Sequence, residues 1–297
     1  MGWFNDITWM MAIREPYLTE IFSYFPLLVK SYVLITIVAV GFWNSENKAF
    51  WRDLTILVCL SVFLNFYLKQ YFAHIRPPKE FFLIGMKLSS YSFPSGDAQI
   101  GMVFWYPLFR HLFGTKGKIL GVSVVGLIAL SRIYLGVHYP KDVLFGIAIS
   151  CLVLYFYSKF NNSRLYQYLT ANPLTASGLL AVLLAAYPLV IHTTTGWSLY
   201  AMAASMLIGI NISGVIKGLT KIKFITPATI EQKIGLSLAG LVSVLFIYFS
   251  ERSFQSENSY SISFISISYF IIALTIFFLV PYFYSWHQKL LDNPRKN

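Results

Sequence analysis

The sequence is poor in charged residues and in cysteine. Asp, Glu, Lys and Arg make up 12% of its 297 residues, about half of their share in an average soluble domain. Such scarcity argues against a soluble domain. The two cysteines, Cys59 and Cys151, are far apart within apolar segments, which argues against a disulfide framework. No dense set of carboxylate, His and Cys ligands is present, so we predict neither a metal nor another cofactor.

The N-terminal segment 1–20 lacks the features of a cleaved signal peptide, so the first membrane span is expected to direct insertion. Residues 3–14 carry apolar side chains at helical spacing, namely Trp3, Ile7, Met10 and Met11. This spacing predicts a short helix lying in the membrane interface. A frayed terminus is the alternative, because the stretch is barely three turns long.

Hydrophobic residues are abundant, at 57% of the chain. They fall in repeated runs of the ~17–25 residues that a membrane helix needs. The runs do not alternate with polar residues, which favours helices over barrel strands. We therefore predict an all-α, polytopic membrane bundle. About nine membrane helices are expected, at 21–43, 52–73, 97–113, 119–137, 142–158, 176–193, 197–216, 234–250 and 262–285.

The net charge of +11 is spread between the hydrophobic runs instead of forming one basic stripe, so we predict no nucleic-acid partner. The basic residues instead indicate topology. Fourteen of the 23 Lys and Arg residues lie in or beside the connections 44–51, 110–118, 159–175, 217–233 and 286–297. Because cytoplasmic loops are enriched in basic residues, these connections are predicted to be cytoplasmic. The N-terminus is then outside and the C-terminus inside.

The polar stretch 161–173 divides the chain into two blocks. We predict a first domain at 21–160 with five membrane helices and a C-terminal bundle at 161–297 with about four. The second block shows no repeat of the first, which argues against an inverted-repeat transporter. An accessory bundle, a dimer surface and a lipid-handling path all stay open for it, and the oligomeric state stays open as well.

Three polar clusters interrupt the first block, and the topology places all three at the outer face. In the first cluster, Lys69 and Arg76 are seven residues apart and share a helix face, and Pro77 then ends the helix. Two cations on one face can bind one anion.

The second cluster, Pro94-Ser95-Gly96, is typical of a tight turn that feeds a helix N-terminus, where free N–H groups attract phosphate. In the third, His138 and Asp142 are four residues apart, so the carboxylate can orient the imidazole. Pro140 between them makes a turn-plus-cap arrangement an equal possibility.

These clusters resemble the three signature motifs of the type-2 phosphatidic acid phosphatase superfamily, which read K-x6-R-P, P-S-G-H and S-R-x5-H-x3-D. Lys69, Arg76 and Pro77 match the first motif, and Ser131, Arg132, His138 and Asp142 match the third. The second motif departs from the family pattern, because Asp97 stands where the family has histidine. The resemblance covers about residues 20–160.

The resemblance implies that His138 attacks phosphorus to form a phosphohistidine, which water then hydrolyses. Asp142 is implied to orient the imidazole. The phosphoryl oxygens are implied to be bound by Lys69, Arg76, Arg132 and the backbone of Ser95 and Gly96.

Asp97 has three interpretations. A buried, protonated Asp97 can act as the acid that protonates the leaving group. An ionised Asp97 is a poor acid, which favours acidic conditions or a good leaving group such as the phosphate of a diphosphate. The third interpretation is a helix cap. His74 is another candidate donor, with an interfacial role as its alternative.

Because the motifs lie at span ends, we predict a lipid substrate whose phosphate sits at head-group height. Undecaprenyl diphosphate, phosphatidic acid and phosphatidylglycerol phosphate are candidates, at the extracytoplasmic face of a bacterial inner membrane. Two alternatives are a lipid phosphotransferase that uses the same site and a non-catalytic protein that binds or transports lipid phosphates. A mere binder has no need of an oriented nucleophile, so His138 and Asp142 argue against the latter.

Overall fold

The computed structural model describes residues 5–83, 90–190, 197–257 and 262–292. Regular secondary structure in these ranges is helical throughout, and they contain no strand. The predicted all-α class is therefore confirmed. The physical reason is that each apolar run satisfies its backbone hydrogen bonds within its own helix.

Twelve α-helices are assigned in the described ranges. They are α1 (Thr8–Met11), α2 (Pro16–Tyr24), α3 (Ser31–Asn44), α4 (Lys48–Phe72), α5 (Gly96–Tyr134), α6 (Pro140–Phe160), α7 (Arg164–Ala171), α8 (Pro173–Val190), α9 (Trp197–Thr220), α10 (Ile230–Glu257), α11 (Ile262–Leu274) and α12 (Val280–Asp292). Short 3₁₀ turns cover Phe25–Val29 and Lys79–Phe81, and a π-helical turn at Thr275–Leu279 joins α11 to α12.

Six helical segments of the described residues are long and apolar enough to cross a membrane. The number is seven if Pro16–Val29 and Ser31–Asn44, which are bent by 53°, form one span. A polytopic membrane protein is thus confirmed, but the predicted count of nine is not. One reason is that α5 contains the predicted span 97–113 and most of the predicted span 119–137, yet it counts once. Another predicted span, 176–193, extends past the end of α8 into residues outside the described ranges.

Helix α5 reverses direction at Gly114, whose φ of 59° and ψ of −132° are not helical. Glycine adopts a positive φ without the steric cost that other residues meet. The two halves then pack closely, because a Cβ at Gly117 would lie 1.9 Å from the carbonyl oxygen of Phe109 and one at Gly121 would lie 2.8 Å from Cα of Tyr106. Helix α5 is therefore an antiparallel hairpin, and its halves correspond to the two predicted spans.

The chain forms two compact units. Within the described residues, the first comprises the chain up to Leu34 and Leu57–Ser163, and the second comprises Ile35–Ile56, Arg164–Val190 and the residues from Trp197 onward. The division into domains at residue 160 stays a prediction.

The N-terminal helix is shorter than predicted, since α1 covers only Thr8–Met11. Ile7 and Met10 are buried in an apolar cluster of the first unit that includes Tyr134. Trp3 lies outside the described residues. The apolar side of this segment therefore contacts protein, which places the start of the chain against α5.

Candidate active site

All predicted site residues lie in the first unit, on three segments that the sequence separates. The end of α4 and its following loop carry Lys69 and Arg76, and the start of α5 carries Ser95, Gly96 and Asp97. The end of α5, the next turn and the start of α6 carry Arg132, His138 and Asp142. Direct contacts between these segments bring the residues together.

His138 lies in the turn between α5 and α6 and is 3% exposed. Its Nε2 is 3.2 Å from Nη1 of Arg76. Its Nδ1 is 3.3 Å from Oγ of Ser92 and 3.5 Å from Oδ2 of Asp142. Because a guanidinium only donates and a carboxylate only accepts, this arrangement favours a proton on Nδ1 and a lone pair on Nε2. The lone pair points toward the cation that an incoming phosphate would contact.

The environment of His138 keeps its imidazole neutral. Burial lowers the pKa of His138 from 6.5 to about 3. The hydrogen bond that Asp142 accepts opposes this shift, and nearby Arg76, Lys69 and Arg132 add to it. A neutral imidazole retains the lone pair that nucleophilic attack requires. The site therefore presents an uncharged nitrogen at neutral pH.

Asp142 is fixed by hydrogen bonds from two other groups. Its Oδ2 accepts from the hydroxyl of Ser92 and, at 2.9 Å, from the backbone N–H of Tyr139. Helix α6 begins at Pro140, so His138 precedes the helix and Asp142 lies in its first turn. Of the two arrangements considered for this pair, the structure has the turn followed by a helix start.

Helix α4 ends at Phe72, before Pro77, so the predicted helix face shared by Lys69 and Arg76 is wrong. Both residues instead bind the segment that precedes the Pro94 turn. Arg76 donates from Nε to the carbonyl of Ser90 at 2.8 Å, and Lys69 donates to the carbonyls of Tyr91 and Ser92. Burial lowers the pKa of Arg76 to about 10, which leaves it protonated at neutral pH. These carbonyls carry no net charge, so they position the cations without neutralising them.

At the turn of Ser95 and Gly96, one of the two predicted backbone contacts to phosphate is already used within the protein, and the contact from Gly96 stays a prediction. The backbone N–H of Ser95, predicted to bind phosphate, donates to the carbonyl of Asp142 at 2.8 Å. The hydroxyl oxygen of Ser95 is buried and has no hydrogen-bond partner in the described part of the chain. Gly96 packs against Asn65, since a Cβ there would lie 3.0 Å from Oδ1 of that residue. The hydroxyl of Ser95, and not its N–H, is thus available to a ligand.

Asp97 forms an ion pair with Arg132, with 3.0 Å between Oδ2 and Nε. The pair requires an ionised carboxylate, which speaks against a protonated Asp97. Ser95 occupies the N-cap position of α5 and Asp97 lies in the first turn, which speaks against the third interpretation, the helix cap. Arg132, which is predicted to bind phosphate, therefore already has a counter-ion in Asp97.

A buried polar network behind the turn was missed by the sequence reasoning. Asn65 donates to Oε1 of Gln99 at 2.8 Å and to the carbonyl of Pro94 at 3.2 Å. Gln99 donates to the hydroxyl of Ser61 at 3.0 Å. The sequence did contain a signal for it, namely polar residues at positions 61, 65 and 69, which are four residues apart within an apolar span. Polar side chains at such spacing in a membrane helix face the protein interior. Through the bond from Asn65 to the Pro94 carbonyl, this network holds the Pro94 turn in place.

Ser92 was missed for a different reason. It is fully buried and contacts both His138 and Asp142, yet it lies outside the family motifs. Its backbone N–H donates to the carbonyl of His74 at 2.8 Å. Nε2 of His74 lies 2.6 Å from Nζ of Lys141.

No group of three or more His, Cys, Asp or Glu residues within the described ranges is placed to bind a metal ion.

Comparisons with known proteins agree with these motifs. The family model of the PAP2 superfamily matches residues 50–166. Phosphatidylglycerophosphatase B of Bacillus subtilis is 32% identical over 163 residues, which are 51% of this chain and 79% of that protein. Undecaprenyl-diphosphatase of Sulfolobus acidocaldarius is 31% identical over 121 residues, which are 39% of this chain and 58% of that protein.

A solved structure is also similar, namely that of a transmembrane PAP2-type phosphatidylglycerolphosphate phosphatase from Bacillus subtilis. It covers 53% of this chain and 84% of its own, with 25% sequence identity and a TM-score of 0.46. The region matched by the family, 50–166, contains every predicted site residue from Lys69 to Asp142. The sequence matches confirm the predicted resemblance, and the chain belongs to the PAP2 superfamily.

Proposed function

We propose that this membrane protein hydrolyses a lipid phosphate or lipid diphosphate through a phosphohistidine on His138. One observation carries the proposal: the two ring nitrogens of His138 face opposite kinds of group. Nδ1 lies beside Asp142 and Ser92, and Nε2 lies beside Arg76. This polarity is what a nucleophile needs if a carboxylate supports one nitrogen while the other meets an anion.

In the first step, the lone pair of Nε2 forms a bond to phosphorus. The bond from phosphorus to the leaving oxygen breaks, and its electron pair leaves with that oxygen. The imidazole becomes positively charged, and Asp142 stabilises this charge through Nδ1–H. In this proposal, Lys69, Arg76 and the Ser95 hydroxyl bind the equatorial oxygens, where negative charge is concentrated.

In the second step, water attacks the phosphohistidine. The N–P bond breaks, its electrons return to Nε2, and a proton from the water passes to solvent or to a basic group of the site. Inorganic phosphate leaves and neutral His138 is restored. Arg132 can bind a phosphoryl oxygen while it also contacts Asp97, since a guanidinium has five N–H donors.

Two features support a lipid substrate. The site lies where α4 and α5 each meet a turn, next to apolar segments long enough to span a membrane. The two curated relatives are named for a lipid phosphate and a lipid diphosphate. A lipid can place its phosphate at such a helix end while its chain stays in hydrocarbon. Undecaprenyl diphosphate, phosphatidic acid and phosphatidylglycerol phosphate are the proposed candidates.

The test is phosphate release by purified protein over a panel of these lipids. His138→Ala is expected to lower turnover by at least about 10³-fold, because the nucleophile is lost. His287→Ala, which removes an exposed histidine of the second unit, is the matched control and is expected to keep turnover. Turnover by His138→Ala at the wild-type rate would refute the proposed nucleophile. Product analysis with an added lipid or sugar acceptor separates hydrolysis from phosphotransfer.

We also propose that the site faces the extracytoplasmic side of a bacterial inner membrane, as the distribution of basic residues indicates. The exposed residues Glu80 and Lys221 lie in loops predicted to be on opposite sides. In a background without Cys59 and Cys151, Glu80→Cys in intact cells is expected to react with an impermeant thiol reagent, and Lys221→Cys is not. The reverse labelling pattern would place the site in the cytoplasm. Permeabilised cells provide the control for reactivity.

A further inference from the structure

A groove of about 620 Å³ lies on the first unit beside the phosphate site. Its walls are apolar side chains from the end of α4 and from α6, together with Phe93. Among the described residues, its polar lining consists of His74 and Lys141. The volume falls within the range of about 300–1,000 Å³ that is common for small-molecule sites. The groove thus combines an apolar trough with two nitrogen-bearing side chains.

The two polar side chains contact each other. Nζ of Lys141 is 2.6 Å from Nε2 of His74. Because an ammonium has no lone pair, Lys141 donates and Nε2 accepts, which puts the imidazole hydrogen on Nδ1. Nδ1 of His74 is buried and has no hydrogen-bond partner among the described residues.

The charge on Lys141 has no counter-ion in the described part of the chain, where none of the ion pairs involves it. Its ammonium keeps two further N–H donors after the bond to His74. Lys141 is half-buried, and an ammonium without a counter-ion attracts an anion. An anion beside the Lys141 ammonium would supply the missing countercharge, and the contact with His74 would hold that ammonium in place.

The pair is connected to the nucleophile by two short links. Lys141 directly precedes Asp142 and lies three residues after His138. The carbonyl of His74 accepts from the N–H of Ser92, whose hydroxyl lies 3.3 Å from Nδ1 of His138. The segment at Ser92 and the turn after His138 therefore border both the phosphate site and the groove.

We propose that Lys141 and His74 form a second anion subsite, which binds the leaving phosphate of a lipid diphosphate whose chain lies in the groove. This inference rests on the proposed function and narrows its substrate class. The apolar walls suit a hydrocarbon chain, and the uncompensated ammonium suits a second phosphate between that chain and His138.

The chemistry of the first step explains the use of such a subsite. Nε2 of His138 bonds to the terminal phosphorus, and the bond from that phosphorus to the bridging oxygen breaks. The electron pair stays on the bridging oxygen, so a lipid monophosphate leaves with additional negative charge. A phosphate leaving group needs a cation more than a proton donor. This requirement matches a chain in which Asp97 replaces the histidine of the second motif and is ion-paired with Arg132.

The test compares one isoprenoid chain as its diphosphate and as its monophosphate, with purified full-length protein in detergent micelles. Lys141→Met is expected to lower the ratio of kcat/KM for diphosphate over monophosphate by at least about 10-fold, since a charge-assisted contact is lost. Lys141→Arg is expected to keep most of the ratio. Lys159→Met removes a lysine from the other end of α6 and is expected to leave the ratio unchanged.

The groove is tested by filling it. Ala148→Trp is expected to raise KM for a long-chain diphosphate by several-fold and to spare a short-chain one, because only the long chain occupies the trough. Leu144→Trp is the matched control, since Leu144 is exposed on the same helix outside the groove. Diacylglycerol diphosphate, assayed beside the isoprenoid, shows which kind of chain the groove accepts.

An unchanged ratio in Lys141→Met, or an equal fall in Lys159→Met, would overturn the subsite. If Lys141→Met does not fold, His74→Gln is used instead and is expected to lower the same ratio; no change there would also overturn it. Failure of the wild-type protein to release phosphate from either lipid would refute the proposed function itself, which is a different result.

Discussion

The two units bury different kinds of polar side chain. In the first unit the buried groups include the charged residues Lys69, Arg132 and Asp142 together with His138. In the described part of the second unit, Asp53 is the only buried charged residue, and the other buried polar side chains are hydroxyls. Burial of a charge costs several kcal/mol unless other groups compensate it. Packing does not explain the unfavourable free energy of these buried charges in the first unit. A site that binds phosphate does explain it.

The hydroxyls of the second unit have a simpler role. Ser213 donates to the carbonyl of Gly209 at 2.7 Å, four residues earlier in its own helix. Gly209 in turn packs closely, because a Cβ there would lie 2.6 Å from that of Ala273. Small residues and self-satisfied hydroxyls are typical of close contacts between membrane helices. The two units therefore differ in kind: the first buries charged groups of the proposed site, and the second buries hydroxyls at helix contacts.

The largest expected effect contrasts one buried carboxylate from each unit. Asp142→Asn is expected to lower kcat by about 10²-fold, less than His138→Ala, because an amide stabilises the imidazolium poorly. Asp53 instead pairs with Arg52 at 2.8 Å and accepts from the hydroxyl of Tyr166. Asp53→Asn is expected to reduce thermal stability and to leave kcat within about twofold. Equal losses of kcat in both variants would break the distinction between the units.

Asp97 gives the next largest effect. If it positions Arg132, Asp97→Asn should slow monophosphates and diphosphates by the same factor, about 10-fold, because an amide cannot pair with the guanidinium. Asp97→His should then fail to restore turnover, since a histidine does not replace the counter-ion of Arg132.

A proton donor at this position would behave differently. The loss in Asp97→Asn would be larger for monophosphates, whose alkoxide leaving group needs a proton, and Asp97→His would recover it. Initial rates on both substrates at neutral pH separate the two outcomes.

Local spacing explains which contacts were predictable. The proximity of His138 to Asp142 was predictable, because both arrangements expected for residues four apart keep the two side chains close. The shared helix face of Lys69 and Arg76 was wrong, because α4 ends at Phe72 and Arg76 lies beyond it. The pairing of Asp97 with Arg132 joins residues 35 positions apart (132 minus 97) and depends on the reversal of α5. Helical periodicity does not predict that reversal, so this ion pair could not be predicted from the sequence.

The role of the Ser95 backbone was mispredicted for a related reason. A helix start offers free N–H groups, but the N–H of Ser95 already donates to the carbonyl of Asp142, which belongs to a different helix. The fold class was easier to predict, because continuous apolar runs leave few alternatives to membrane helices. The number of spans depends on turns and bends, which apolar composition does not specify.

The smallest expected effects compare buried neutral groups. Gln99→Leu removes the acceptor of Asn65 and the donor to Ser61, and it leaves Asn65 buried with one partner fewer. We expect the free energy of unfolding to fall by about 1–3 kcal/mol, the usual cost of unsatisfied buried groups. Turnover should fall as well, because Asn65 also binds the Pro94 turn.

Ser213→Ala should change the free energy of unfolding by no more than about 0.5 kcal/mol, because the hydroxyl bonds only within its own helix and the carbonyl it leaves keeps its helical partner. Turnover should match wild type. Unfolding in detergent, followed together with phosphate release, measures both quantities for the two variants. If Ser213→Ala cost as much as Gln99→Leu, the hydroxyls of the second unit would belong to a network of their own. In that case the second unit would carry more than packing, and its buried serines would be the place to look for its role.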